Sequence, residues 1–169
     1  MELNLLKEND PLLNQISKAW DFEVDGDPTE LVKEMSTLMF VSEGIGLAAP
    51  QCGVFKRIFV MGNKDNLVAC INPEIIATKG EPEIYLEGCL SFPGLWLNIK
   101  RVPEVKVRYQ NVSGAIIEEE LSGIRARVFL HEFDHLIGVT FDERSSALGL
   151  QMAKERRKKK DKKLRNLLN

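Results

Sequence analysis

The 169-residue sequence contains only two histidines and three cysteines, and no apolar run long enough to span a membrane. Each scarcity excludes something. With no such run, and with Met1-Glu2-Leu3-Asn4 in place of a basic-then-apolar leader, a cytoplasmic protein with no membrane partner is expected. Cys52, Cys70 and Cys89 cannot all pair within one chain, so free thiols in a reducing compartment are expected rather than a disulfide framework. Asn111-Val112-Ser113 matches a glycosylation acceptor, but without a secretory leader it reads as a turn before Gly114.

What is present fits one globular domain. The length supports a sizeable core, and 44% hydrophobic with 28% charged residues is an ordinary soluble composition. The net charge of −2 conceals an asymmetry: residues 154–169 carry nine Lys/Arg against Glu155 and Asp161. Residues 1–153 are read as one acidic domain, and 154–169 as its basic C-terminal tail. Such a tail is either a solvated helix or a surface for RNA, where clustered cations give salt-sensitive phosphate affinity. No DNA partner is expected, and nothing demands more than a monomer.

Hydrophobic periodicity places the elements. Asp27-Pro28 opens a helix over 28–42, with Leu31, Met35, Leu38 and Met39 on one apolar face. Short strands are predicted at 57–61, 67–71 and 74–78, with turns at Gly62-Asn63 and Asn72-Pro73. Residues 104–109 and 115–121 read as a hairpin across Val112-Ser113-Gly114. A helix over 124–137 is apolar on several sides, which predicts burial between sheets, and Gly138 is positioned to end it. A last helix is predicted over 146–167.

Both histidines fall in that buried helix, in His131-Glu132-Phe133-Asp134-His135. Spaced four apart, they lie one turn apart on the same face and can point at one metal ion. Glu132 sits where its carboxylate can reach a water bound to that ion. A catalytic site of this kind needs a third protein ligand and an open position. A third histidine six residues on is absent, since Phe141 stands there, and Glu155 lies in a solvated charge run. The better candidate is Cys89, in Glu87-Gly88-Cys89-Leu90-Ser91, read as a glycine-permitted bend between a strand and a Pro-Gly turn. A thiolate there completes a His₂Cys set; on its own such a cysteine would more often be a buried core thiol. Asp134 is expected to pair with Arg101 or Arg127 in support of the site.

Three motifs in this order, Gly44-Ile45-Gly46-Leu47-Ala48-Ala49-Pro50-Gln51, Glu87-Gly88-Cys89-Leu90-Ser91 and His131-Glu132-Phe133-Asp134-His135-Leu136, make the sequence resemble the peptide deformylases over residues 1–145. The resemblance implies an α+β fold in which antiparallel β-sheets wrap a central α-helix carrying the metal motif. It implies removal of the formyl group from the N-terminal methionine of nascent polypeptides. The implied cofactor is one divalent ion, Fe(II) first, with zinc, nickel or cobalt as substitutes. By resemblance, Glu132 moves the proton, while the Gln51 amide and the Leu90 backbone N–H stabilise the oxyanion. Gly44 and Gly46 are read as letting a substrate strand approach the metal, or as an ordinary helix-terminating turn. Ile45, Val128 and the His131 ring edge are the expected lining of the methionine pocket. Leu130, Cys52 and the stretch 92–97 depart from the usual family pattern. The competing reading is a general HExxH metallopeptidase.

Overall fold

The computed structural model describes residues 3–168; Met1, Glu2 and Asn169, which the sequence reading assigned to the domain and its tail, lie outside the described residues. The order is α1 (Thr29–Val41), β1 (Gly46–Ala48), β2 (Ile58–Met61), β3 (Val68–Lys79), β4 (Glu83–Cys89), β5 (Phe92–Arg101), β6 (Glu104–Gln110), β7 (Ile116–Ser122), α2 (Gly123–Leu136) and α3 (Ala147–Leu168). Five strands form one antiparallel sheet in the order β1-β2-β3-β6-β7, and β4 pairs with β5 in a separate ribbon. This is the α+β architecture expected.

The sheet is covered on both sides at β2, which explains its unbroken apolar run. Ile58 and Val60 pack towards α1 with Met35, Met39 and Leu47, whereas Phe59 and Met61 face α2 with Phe129 and Leu136. The α1 methionines are therefore core residues. Phe59 and Phe129 meet edge-to-face, with ring centroids 5.1 Å apart. A third apolar cluster joins Leu13, Leu95, Leu97, Ile99, Phe141 and Ala153 and anchors the first turns of α3.

Helix α2 lies between the sheet and the ribbon. Ala126, Phe129, Phe133 and Leu136 meet the five-stranded sheet, while Arg127, His131 and Asp134, at i, i+4 and i+7, make their contacts with the ribbon. One helix thus carries an apolar stripe and a buried ionic stripe. Gly138 takes a left-handed φ of +74° and ends it as expected.

Two local expectations fail. Asn72-Pro73 is not a turn: β3 runs through it with a register irregularity between Ile71 and Glu74. Asn72 adopts φ +51°, and its side chain accepts from Trp20 N–H and donates to Trp20 O and Gln110 Oε1. These bonds replace ladder bonds that proline cannot donate. Pro93-Gly94 is not the turn after Cys89 either. The ribbon reverses at Leu90-Ser91, and Pro93 and Gly94 fall in an irregular stretch of β5. Gly88 also has no left-handed φ; a Cβ there would meet the Trp96 ring at 3.0 Å, which is why glycine stands at this position.

Candidate metal centre

The end of β4 and the C-terminal half of α2 bring three soft or borderline donors together. One ligand atom from each of Cys89, His131 and His135 lies within 4.8 Å of the others. Cys89 Sγ is 3.4 Å from His135 Nε2. His135 is buried at 1% exposure and His131 at 8%. The His131 Nδ1 stands 3.0 Å from Glu87 Oε2. A carboxylate only accepts, so Nδ1 carries a proton throughout, and Nε2 offers a lone pair to a ligand once its own proton is displaced. Burial opposes a charged His131, but the Cys89 sulfur and the Glu87 carboxylate outweigh it and hold its pKa up to about 10. The cluster favours a positive charge at its centre. Two imidazoles and a thiol converging in a buried site fit one divalent cation, with a further position open to the cleft.

Glu87, a motif residue whose role no local pattern in the sequence announces, organises the surroundings. Arg101 donates to it through Nε at 2.7 Å and through a terminal nitrogen at 3.1 Å, and Arg127 donates at 2.8 Å. Arg101 also donates to Asp134 at 2.9 Å, and Arg144 holds the other side of Asp134 at 2.6 and 3.1 Å. Asp134 therefore pairs with Arg101 as expected, and with Arg144, which was not foreseen. Arg127 serves Glu87 and the carbonyls of Ile99 and Glu83 instead. Burial alone would raise the Glu87 pKa, but hydrogen bonds from His131 and Arg101 bring it down to about 2. Stability from this carboxylate is complete above the ordinary value of 4.5 and is lost as pH falls through about 2. Thermal melts over that window should show a steep acid loss in the wild type and a flatter one in Glu87→Gln.

Glu132 lies beside the three donors at 4% exposure, and its Oε2 has no hydrogen-bond partner. Burial pushes its pKa up to about 7, against the pull of His131 and Arg101 in the other direction. Such a carboxyl can both take and return a proton near neutrality. Gln51 is 1% exposed; its Oε1 accepts from Ala48 N–H, and its Nε2 donates to Ser91 Oγ at 3.2 Å and Cys89 Sγ at 3.4 Å. The neighbouring Cys52 thiol is pushed up to about 12 by burial and stays protonated.

A cleft of about 520 Å³ opens onto these groups, lined by Gly44, Ile45, Gly46, Gln51, Cys89, Leu90, Val128, His131 and Glu132. Every expected site residue except the deeper His135 thus borders one cavity. Gly46 sits on β1, the end strand of its sheet. A Cβ at Gly46 would lie 2.8 Å from Glu132 Cδ and 2.9 Å from Val128 Cγ1, and one at Gly44 would meet Leu90 Cδ1 at 2.7 Å. The glycines make room for the protein's own cleft wall before any substrate arrives.

The family model for polypeptide deformylase matches residues 2–151. The chain belongs to the peptide deformylase family. The peptide deformylase of Thermotoga neapolitana is 48% identical over 135 residues, which is 80% of this chain and 82% of that one. The crystal structure of the Thermotoga maritima peptide deformylase superposes with a TM-score of 0.81 at 42% identity, covering 86% of this chain and 99% of that one. A Synechococcus elongatus peptide deformylase in complex with actinonin gives a TM-score of 0.86 at 35% identity, covering 92% of this chain and 85% of that one. The activity of a peptide deformylase is removal of the formyl group from nascent polypeptides, and the general metallopeptidase reading falls away. Among the described residues no helix is long and apolar enough to cross a membrane.

Proposed function

We propose that this deformylase works with Cys89, His131 and His135 as the ligands of one divalent ion, Fe(II) foremost and zinc, nickel or cobalt as alternatives. What carries the proposal is the convergence of those three donors beside a buried carboxyl that has an unpaired oxygen. When bound, the ion supplies Lewis acidity and makes water a nucleophile near neutral pH. Glu132 takes the proton of the attacking water and passes it to the departing methionine nitrogen, with formate as the other product. Gln51 Nε2 and the backbone N–H of Leu90 donate to the formyl oxygen as negative charge develops on it, each worth about 3 kcal/mol of barrier. The Gln51 amide is held for this by Ala48, with its NH₂ turned towards the sulfur. Gly44 and Gly46 leave room for an extended substrate, and Ile45 with Val128 receives the methionine side chain. Formate release from a formyl-Met-Ala peptide by the metal-loaded protein tests this; a folded, metal-loaded protein that releases none refutes it.

The catalytic unit is assigned to residues 1–153 and a basic tail to 154–169, in a monomer of the cytoplasm. Helix α3 crosses that boundary without a break. Arg157 still belongs to the body, donating to Glu8 at 3.1 Å and to Pro93 O at 3.2 Å. Beyond it every described residue is exposed, with six Lys/Arg against Asp161. This projecting cationic helix favours ribosomal RNA as partner. Ending the chain after Arg157 should weaken ribosome association at low salt by about tenfold or more and leave formate release from short peptides intact. Unchanged co-sedimentation with ribosomes would mean the tail is inert.

A further inference from the structure

The turn that carries Leu90 is weakly held by its own ribbon. Cys89 pairs with Phe92, but the next pair is Gly88 with Trp96, so Pro93, Gly94 and Leu95 have no partner on β4. The tip Cys89–Phe92 is thereby cut off from the regular ladder. What fixes it is the N-terminal segment 5–8, which crosses the tip and donates at every second residue. Leu6 N–H bonds to Gln51 O and Glu8 N–H to Ser91 O, each at 2.8 Å. Gln51 sits in the 3₁₀ turn Ala49–Cys52, and Ser91 follows Leu90. One short strap therefore ties the backbone of Gln51 to that of the residue after Leu90, the two oxyanion donors assigned above.

The strap has anchors of its own. Leu5 packs against the cluster of Met35 and Leu47, and Leu6 against that of Leu95 and Ala153. Beyond them the Glu8 carboxylate is gripped by Arg157 of α3, with two bonds of 3.1 Å to Oε2 and a contact of 3.0 Å to Oε1. The same guanidinium donates to Pro93 O at 3.2 Å, inside the stretch that the ladder leaves unpaired. The Arg157 and Glu8 side chains are 19% and 28% exposed, so the pair is partly shielded from water and salt. A ring closes here: Arg157 holds Glu8, Glu8 N–H holds Ser91, and Pro93 returns to Arg157.

Resting on the assignment of Gln51 and Leu90 as oxyanion donors, we propose that Glu8, clamped by Arg157, is a positioning residue for deformylation. It fixes the Leu90–Ser91 turn against Gln51, so that both donors meet the formyl oxygen together. Neither the Glu8 nor the Arg157 side chain borders the cleft, so any effect on rate passes through the turn. Displacing a donor by a fraction of an ångström forfeits part of its hold on the developing charge. Ground-state binding, which rests on other contacts, is left as it was.

The test measures kcat and KM for formate release from a formyl-Met-Ala peptide, with amide hydrogen exchange on the same proteins. Metal-loaded wild type is compared with Gln51→Ala, Glu8→Ala, Glu8→Gln and Arg157→Ala. Gln51→Ala should lose about a hundredfold in kcat. Glu8→Ala and Arg157→Ala should each lose about tenfold in kcat at unchanged KM, and the double variant no more than the larger single loss. Glu8→Gln, which still accepts from the guanidinium, should stay within about threefold of wild type. In Arg157→Ala the Leu6 and Glu8 amides should exchange about tenfold faster, with those of β6 unaltered. Wild-type kcat in Glu8→Ala and Arg157→Ala, beside a Gln51→Ala that has lost activity, overturns the proposal alone. So does a loss that falls on KM, or one that comes with faster exchange in β6. A Gln51→Ala that keeps wild-type kcat overturns the oxyanion assignment and the proposal with it.

Discussion

Replacing Glu132 by glutamine should lower kcat for formate release by about a thousandfold while one equivalent of divalent metal stays bound. The substitution keeps the side chain's size in a pocket where Glu132 is 4% exposed, so the space beside Gly46 stays filled. What it removes is proton traffic. A glutamine amide neither accepts the water's proton nor protonates the amine, and a carboxyl with a pKa of about 7 does both. Because Glu132 is not among the three converging donors, metal content separates the two roles. Loss of metal with loss of activity would make Glu132 a structural support of the ion. Retained activity would remove it from the reaction.

The second large effect is expected at Glu87. Its carboxylate is shared by Arg101, Arg127 and His131, and the Glu87 and Arg101 side chains are each about 6% exposed. Glu87→Ala leaves two buried guanidinium groups short of a counter-charge, a loss of roughly 3–5 kcal/mol. For a chain of this size that lowers the melting temperature by roughly 10 °C. The His131 ring also loses the acceptor that fixes its tautomer, so metal affinity should fall by about 10–100-fold. Calorimetry of the wild type and Glu87→Ala, with and without a chelator, reads both. Equal melting temperatures would show that the arginines find other partners, and equal metal affinity would show that the tautomer is set elsewhere.

The parts legible in the sequence are those governed by local rules. The period of 3.6 in α1, the alternation in β6 and β7, and the His-x-x-x-His spacing in α2 each follow from one segment read alone. Cys89 became legible because two histidines require a third donor. What stayed hidden depends on contacts between distant segments. Asn72-Pro73 carries every local mark of a turn, yet Trp20 and Gln110 hold it in strand continuity. Pro93-Gly94 likewise looks like a turn, but the Cys89–Phe92 pairing places the reversal at Leu90-Ser91. Glu87 and Arg144 are ordinary charged residues until β4 and the stretch after α2 close on the helix. Their partners, His131 and Asp134, lie 44 and 10 residues away. Only a face-by-face reading of α2, noting that Arg127, His131 and Asp134 share a stripe too polar to face an apolar sheet, could have called for a buried acid opposite.

The most direct measurement is metal analysis and X-ray absorption on protein purified without oxygen, wild type beside Cys89→Ala. Wild type should hold one divalent ion with one sulfur and two imidazole nitrogens from the protein, and Cys89→Ala should lose both the sulfur scattering and formate release. An ion in the wild type with no sulfur neighbour, or formate release undiminished in Cys89→Ala, would contradict the assignment of this centre.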